Sequence, residues 1–475
     1  MFKPQKETAL AMTECTQSCF DFEAHFTQKV VADFAGGTLT SDGGALLLRQ
    51  TDRRIELLKR LAACFTDHRQ QDRVEHPVET LVAQRVYALA LGYEDLNDHD
   101  QLRSDPLLAV LAGRRDCTGK QRKRPRDQGH ALAGKSTLNR LEHTAENGVA
   151  KDRYKKISYS AAAIDELLVT IFQEAHQRPP KRIILDLDAT DSPLHGRQED
   201  RFFHGYYGHY CYLPLYIFSG EHLLCARLRP SNIDAAAGGV EEVERIVTQI
   251  RQRWPKVRIT IRADSGFCRD ELMSWCEDNQ VDYVFGLARN DRLRELIEPQ
   301  MEEAAAEHAR TGEAARVFTE FRYRTRKTWS RERRVVAKAE QLEGKQNPRY
   351  LVTSLSAEQW PARQLYEKLY CARGDMENRI KEQLSLFSER LSTATMRANQ
   401  LRLYLSSMAY LLVQALRRLG LKDTDMARAQ VGTIRLRLLK IGAQVRLSVR
   451  RVWISMASGY PYQGLFALAW ANLRC

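Results

Sequence analysis

The sequence predicts a mixed α/β protein, with a mostly helical region before the sheet and more helices after it. Three observations carry this. Apolar spacing follows the helical period through about Phe172 and switches to alternation at Arg182. From there the segments order as strand, strand, strand, helix, strand, helix, strand, which makes a three-layer α/β unit. A run of alternating segments within 291–360 then interrupts the unit, and a last helix resumes it.

Taken in order, residues 1 to about 28 are polar, lack a clear period and read as a loose lead-in. From Val30 a short strand and a Gly-rich turn lead into an amphipathic helix capped near Ser41 or Asp42. Residues 77 to 112 are helical again, with Leu81, Val82, Val86, Leu89 and Leu91 at mixed i+3/i+4 spacing. The basic segment GKQRKRPRDQ (119–128) reads as a flexible loop, suited either to phosphate contacts or to plain solvation. Gly129 to Ser136 then matches the phosphate-binding pattern G-x4-G-K-[ST]. That chemistry needs a buried strand ahead of the glycines, and the basic residues here cannot be one. Ser136 or Thr137 is read instead as the N-cap of the helix TLNRLEH.

RIILDLDAT is a compact strand ending in acids, and HYCYLPLYIF (209–218) and HLLCARLRP (222–230) follow as strands. The polar run HGRQEDRFFHGYYG joins the first two. After the helix DAAAGGVEEVERIVTQIRQRW come the strand VRITIRADSGF, a short helix and the strand VDYVFGLARN. The interruption holds a charged helix and at least three antiparallel strands. Past it lie a helix, LYEKLYCARGDMENRIKEQ, and the strongly helical 393–420. The stretch 433–456 alternates Ile434, Leu436, Val445, Leu447 and Val449 with arginines, which predicts a hairpin turning near Gly442 with a cationic face. The domains expected are 1–175 helical, 176–290 and 361–391 the α/β core, 291–360 the β-rich insertion, and 392–475 C-terminal.

Composition narrows the partner. The chain has 73 Lys+Arg against 60 Asp+Glu, a net charge of +13, and this excess points to a polyanion, nucleic acid first. No apolar run is long enough to cross a membrane, and the start lacks a signal peptide's apolar region, so a cytoplasmic location is expected. The ten cysteines show no C-x-x-C pair or zinc spacing and read as reduced thiols.

Chemistry concentrates at a few acids. Asp186 and Asp188 end one strand and Asp264 ends another, and in an open α/β sheet sites form at the carboxyl ends of strands. Tyr370, Arg373 and Glu377 share one helix face as i, i+3 and i+7. A helix returning after the insertion can bring Glu377 to the two strand ends. Three carboxylates suit Mg²⁺ or Mn²⁺. Two such ions, about 3.5–4 Å apart, clamp the attacking and leaving oxygens of a phosphodiester. Asp188, nearer the strand's end, is the better first ligand, with Asp186 as the fallback.

The strand order and the signature Tyr370-x2-Arg373-x3-Glu377 after a β-rich insertion resemble the DDE transposases of bacterial insertion sequences, which have an RNase H-like core. LDLDATDSPLHGRQ, RADSGF and RGDMENRIKEQ are similar to one branch of that group, specifically over 182–391. The resemblance implies a metal-dependent endonuclease and strand transferase that frees a 3′-OH at the element's ends and joins it to target DNA, without a covalent protein–DNA intermediate. It implies Asp188, Asp264 and Glu377 as the catalytic, metal-binding triad for two ions, and Tyr370 and Arg373 as the grip on a DNA-end phosphate. Double-stranded DNA (terminal inverted repeats and target) is the implied partner, with a homodimer on paired ends. The wider signature has a lysine seven residues after the glutamate, where this chain has Leu384; Lys381 is the substitute. Trp329, in RYRTRKTWSRERR, is the candidate to stack on a flipped base, an ordinary strand tryptophan being the alternative. DNA recognition is expected in the helical half, the 119–126 loop and the arginine hairpin. A nuclease of the same fold without strand transfer, and a non-catalytic DNA-binding remnant, are the competing readings.

Overall fold

The computed structural model describes residues 19–143 and 154–474. The lead-in over 1–18, with Cys15, and the terminal Cys475 fall outside them. Among the described residues a nine-stranded sheet dominates. Its order is His222–Arg227, Leu215–Ser219, Arg182–Ala189, Arg258–Ala263, Asp282–Leu287, Arg349–Thr353, Arg333–Leu342 and Ala315–Tyr323, with Lys345–Gln346 beside Arg333–Leu342. Arg182–Ala189, Arg258–Ala263 and Asp282–Leu287 run parallel, and the other pairings are antiparallel.

The two-residue period of the strands sorts the site from the core. Ile183, Leu185 and Leu187, with Ile259, Ile261 and Ala263, are buried in one apolar cluster with Val243, Ile246 and Met273 of the helices Gly239–Arg253 and Asp270–Asp278. The alternate positions carry Asp186, Asp188 and Arg262.

The antiparallel strands within 291–360 continue the core sheet, because Arg349–Thr353 pairs with Asp282–Leu287. Two expectations change here. The segment 209–218 is two strands, His209–Tyr212 and Leu215–Ser219, broken at Leu213-Pro214, where proline has no N–H for a ladder. Ser192–Pro193, His209–Tyr212 and Phe202–His204 make a small sheet of their own, so the polar run 195–208, expected only to join two strands, carries one itself.

The helical half and the C-terminal part share one core. The helix Met396–Leu419 buries nearly all its residues against the helix Val78–Leu91 and the strand His222–Arg227. Phe20–His25 and Gln28–Ala32 form an exposed hairpin, so a paired strand begins inside the expected lead-in. The Gly-rich turn is a packing contact: a Cβ on Gly44 would meet the Leu438 carbonyl oxygen at 1.9 Å. Asp42 does not cap the helix Leu46–Ile55. Its carboxylate accepts from the Tyr93 hydroxyl (2.7 Å) and pairs with Lys440 (2.7 Å).

The arginine-rich stretch also differs. Val431–Ile434 and a π-turn at Arg435–Leu439 are helical, and the hairpin is Ala443–Leu447 with Val452–Met456. Ile434, Leu438 and Leu439 are buried, while Leu436 is exposed, so a helical rather than a two-residue period decides the segment. Among the described residues eight cysteines are free, and no helix is long and apolar enough to cross a membrane.

Candidate active site

Asp188 and Asp264 end adjacent parallel strands. The register sets Ala263 opposite Leu187, so Asp264, one residue on, comes level with Asp188. Asp264 turns the chain: its Oδ1 accepts the Gly266 N–H (2.8 Å) and closes a short 3-10 turn, Ser265–Phe267.

The third acid arrives on a helix that is not regular. Ala362–Gln364 runs into a π-turn, Leu365–Tyr370, then a 3-10 turn, Cys371–Arg373, and then the α-helix Gly374–Leu384. Leu365 and Leu369 anchor it on Val284, Val336, Leu351 and Leu355. Arg262 ties it to the sheet by donating to the Leu369 carbonyl (2.5 Å) while holding both oxygens of Asp186 (2.5 and 2.7 Å). Irregular turns of this kind recur at functional sites; here they end at Tyr370 and Arg373.

Arg373 stands between the acids. One Nη lies 3.1 Å from Asp188 Oδ1 and the other 3.7 Å from Glu377 Oε1. Asp188 is nearly buried, and its carboxyl is pushed up to about 6. Burial is the largest cause, Arg373 opposes it, and the negative charges of Asp264 and Glu377 raise it further. Glu377 is mostly exposed, with 58% of its side-chain surface free. Burial also raises the Tyr370 phenol, against the pull of Arg373 and with a push from Asp264.

The structure therefore brings Asp188, Asp264, Tyr370, Arg373 and Glu377 together. It gives Asp186 a different place: 4% exposed and held bidentately by Arg262. Lys381 is exposed one turn beyond Glu377. Trp329 is not at the site as an open ring. It is 7% exposed, in the sheet's apolar cluster, edge-on to Tyr323 with the Arg333 guanidinium against it, so a base has no free face to stack on.

Oxygen donors of this type suit a hard divalent cation. Among the described residues, no three acidic, His or Cys side chains are grouped to hold one, since a guanidinium sits between Asp188 and Glu377. The nearby charge that sequence reading passed over is a cavity of about 590 Å³ lined by Asp264, Gly286, Arg289, Arg349, Tyr366 and Tyr370. Gly286 makes room for it: a Cβ there would lie 2.7 Å from the Tyr370 hydroxyl. Nothing local in VDYVFGLARN marks Gly286 as special, because the close approach comes from a helix far along the chain. Tyr207, in the turn between the strands Phe202–His204 and His209–Tyr212, is also raised, by burial and then by Asp191 and Asp188.

The sequence model of the family described as Transposase DDE domain group 1 matches residues 22–475. The chain belongs to that family. DDE transposases cut and join DNA in transposition, and this chain carries their domain over almost its whole length. No curated protein matches it. Among solved structures, the cryo-EM structure of the piggyBac transposase synaptic complex with hairpin DNA aligns over 92% of this chain and 81% of that one. The identity is 12% and the TM-score 0.39, a likeness too distant to bear on function.

Proposed function

We propose that this DDE-family protein is the transposase of a bacterial insertion sequence. It cuts DNA at the element's ends and joins the freed 3′-hydroxyls to target DNA. The observation that carries the reading is Arg373 paired with both Asp188 and Glu377, with the charge of Asp264 acting on Asp188 from the adjacent strand end, in a chain of this family. The core order supports an RNase H-like reading: three antiparallel strands (222–227, 215–219, 182–189), then two parallel ones (258–263, 282–287).

In this reading Asp188, Asp264 and Glu377 would hold two Mg²⁺ or Mn²⁺ ions once Arg373 leaves the two carboxylates for a DNA phosphate, and Asp186 stays a structural acid under Arg262. Bound there, such ions supply Lewis-acid activation of the phosphodiester and of the attacking oxygen. Arg373 already presents two Nη groups to carboxylate oxygens, and the same planar fork fits two oxygens of a DNA phosphate. The Tyr370 hydroxyl stays protonated, because burial raises its pKa, so it donates to that phosphate. Lys381, exposed on the same helix, reaches the next phosphate. Residues 1–175 bind DNA, 176–290 with 361–391 form the catalytic core, and 291–360 extends its sheet. Paired ends bring two copies together, and the work is done on chromosomal DNA in the cytoplasm.

The test incubates the full chain with its own element's ends and Mg²⁺ and maps cut and joined strands. Cleavage and joining are expected, and Asp188→Ala is expected to lose both by at least 10³-fold, as removal of a metal ligand from the reacting centre does. Cleavage without joining would reduce the reading to a nuclease. Activity unchanged by alanine at all three acids would end it.

A further inference from the structure

A second charged cavity, of about 760 Å³, lies in the helical half among segments 69–76, 100–103, 122–140 and 154–157. Nine Lys or Arg residues line it against three acids. Each of those acids is already engaged. Glu75 and Asp127 face Arg122 at 2.7 and 3.8 Å, and Asp100 pairs with Lys135 at 3.2 Å. Arg124, Arg126 and Arg140 are exposed, and among the described residues they have no carboxylate partner. Among the described residues the cavity thus holds several cations that no carboxylate pairs.

Its wall is built rather than loose. The basic segment expected to be flexible is pinned by Asp116, which accepts N–H groups of Thr118, Gly119 and Gln121. Arg122, 10% exposed at its side chain, donates to the His130 carbonyl (3.0 Å) and to Nε2 of His76 (2.9 Å). His76 is therefore neutral with its proton on Nδ1, and that buried N–H has no acceptor among the described residues. Burial and the charges of Arg122, Arg114 and Arg69 hold its pKa down at about 3, which agrees.

The phosphate-loop-like run Gly129–Ser136 borders this cavity, but not as a nucleotide loop. A short 3-10 turn, Pro125–Asp127, precedes it in place of a strand, and the helix Lys135–Glu142 has its N-cap at Gly134, earlier than the Ser136/Thr137 cap expected. The Lys135 N–H is taken by Asp100 Oδ1 (3.1 Å). Backbone donors do not converge there; the anion-seeking groups are side chains spread over a wide mouth. Such a spread of unpaired guanidinium groups suits successive phosphates of a polymer more than one compact triphosphate.

We infer that this cavity is a backbone-phosphate clamp for duplex DNA, with Arg124, Arg126 and Arg140 as its free contacts. The inference rests on DNA being the partner proposed above, yet it concerns binding and not the chemistry at Asp188. The full chain in EDTA is titrated against a labelled duplex at several salt concentrations, beside a triple variant Arg124→Gln, Arg126→Gln, Arg140→Gln and the corresponding triple Lys variant. The Gln triple is expected to weaken binding by about tenfold or more near 0.15 M salt and to flatten the log–log salt slope by roughly 2 to 3, about 0.9 per phosphate contact. The Lys triple should keep most of the slope. ATP and inorganic phosphate at millimolar levels serve as competitors. An unchanged slope and affinity in the Gln triple overturns the clamp, as does displacement of the duplex by ATP at concentrations where inorganic phosphate at equal ionic strength does nothing. If the clamp holds but no variant or wild type cleaves, the proposed function fails and this inference stands.

Discussion

Asp188 is under two opposed influences. Arg373 stabilises its carboxylate, while burial and the facing charges of Asp264 and Glu377 disfavour it, and the balance leaves its pKa at about 6 rather than 3.8. A raised carboxyl pKa means the folded state binds the proton more tightly. The folded state is therefore favoured most below about 3.8 and loses stability as the pH climbs to about 6, after which the penalty is constant. Without divalent ions, Asp188→Asn is expected to raise the stability of the chain at pH 7.5 by about 1 to 3 kcal/mol, with the gain vanishing near pH 4. Denaturant midpoints of both proteins in EDTA at the two pH values measure this; a variant less stable than wild type at pH 7.5 would show that the Arg373 pair outweighs the repulsion. Sequence alone placed Asp188 and Asp186 on one face. It ranked Asp188 first by position alone; the physical separation comes from Arg262, 76 residues away, which claims Asp186.

At the scale of the element, the site depends on a helix that departs from its ordinary period. The residues Leu365–Gln383 read as one amphipathic stripe, and the chain instead inserts a π-turn and a 3-10 turn before the α-helix resumes. The apolar anchors Leu365 and Leu369 and the Arg262 bond to the Leu369 carbonyl fix that geometry from outside the segment, so local pattern could not reveal it. Gly286 is the matching feature on the sheet, leaving room for the Tyr370 hydroxyl. Gly286→Ala is expected to destabilise by about 1 to 3 kcal/mol through overpacking and to weaken DNA-end cleavage. Adding Tyr370→Phe removes the atom that the new Cβ meets at 2.7 Å. Thermal midpoints of the four proteins of that double-mutant cycle should then show non-additivity; strictly additive losses would mean the Ser265 backbone, 3.0 Å from the same Cβ, is the true obstacle.

At the scale of the whole molecule, the helix Met396–Leu419 joins the helical half to the sheet. Its residues Leu401, Leu405, Met408 and Leu412 lie in the same apolar cluster as Leu81 and Val86 of the first half and Leu223 and Ala226 of the sheet edge. A helix buried on nearly every side cannot be released without exposing both neighbours. Leu412→Ala, at a fully buried position, is expected to lower stability by about 2 to 5 kcal/mol. The first half and the sheet should still unfold in one transition, seen by tryptophan fluorescence and far-ultraviolet circular dichroism together. Two separated transitions would show that the halves are independent.

The sequence by itself determined the class of element along the core strands, the two acids at strand ends, the acid on the returning helix and the family resemblance they carry. These are short-range properties, set by alternation of apolar residues and by motif spacing. It could not read what depends on distant partners: that the interruption continues the core sheet, which of its two readings Trp329 takes, and that 433–439 is helical where a hairpin strand was expected. Register between strands 76 residues apart, and the burial of one segment by another, are decided only when the whole core closes. For the same reason the tertiary structure alone set Arg373 between Asp188 and Glu377, and gathered the basic segment, His76 and the start of the helix Lys135–Glu142 around one cavity.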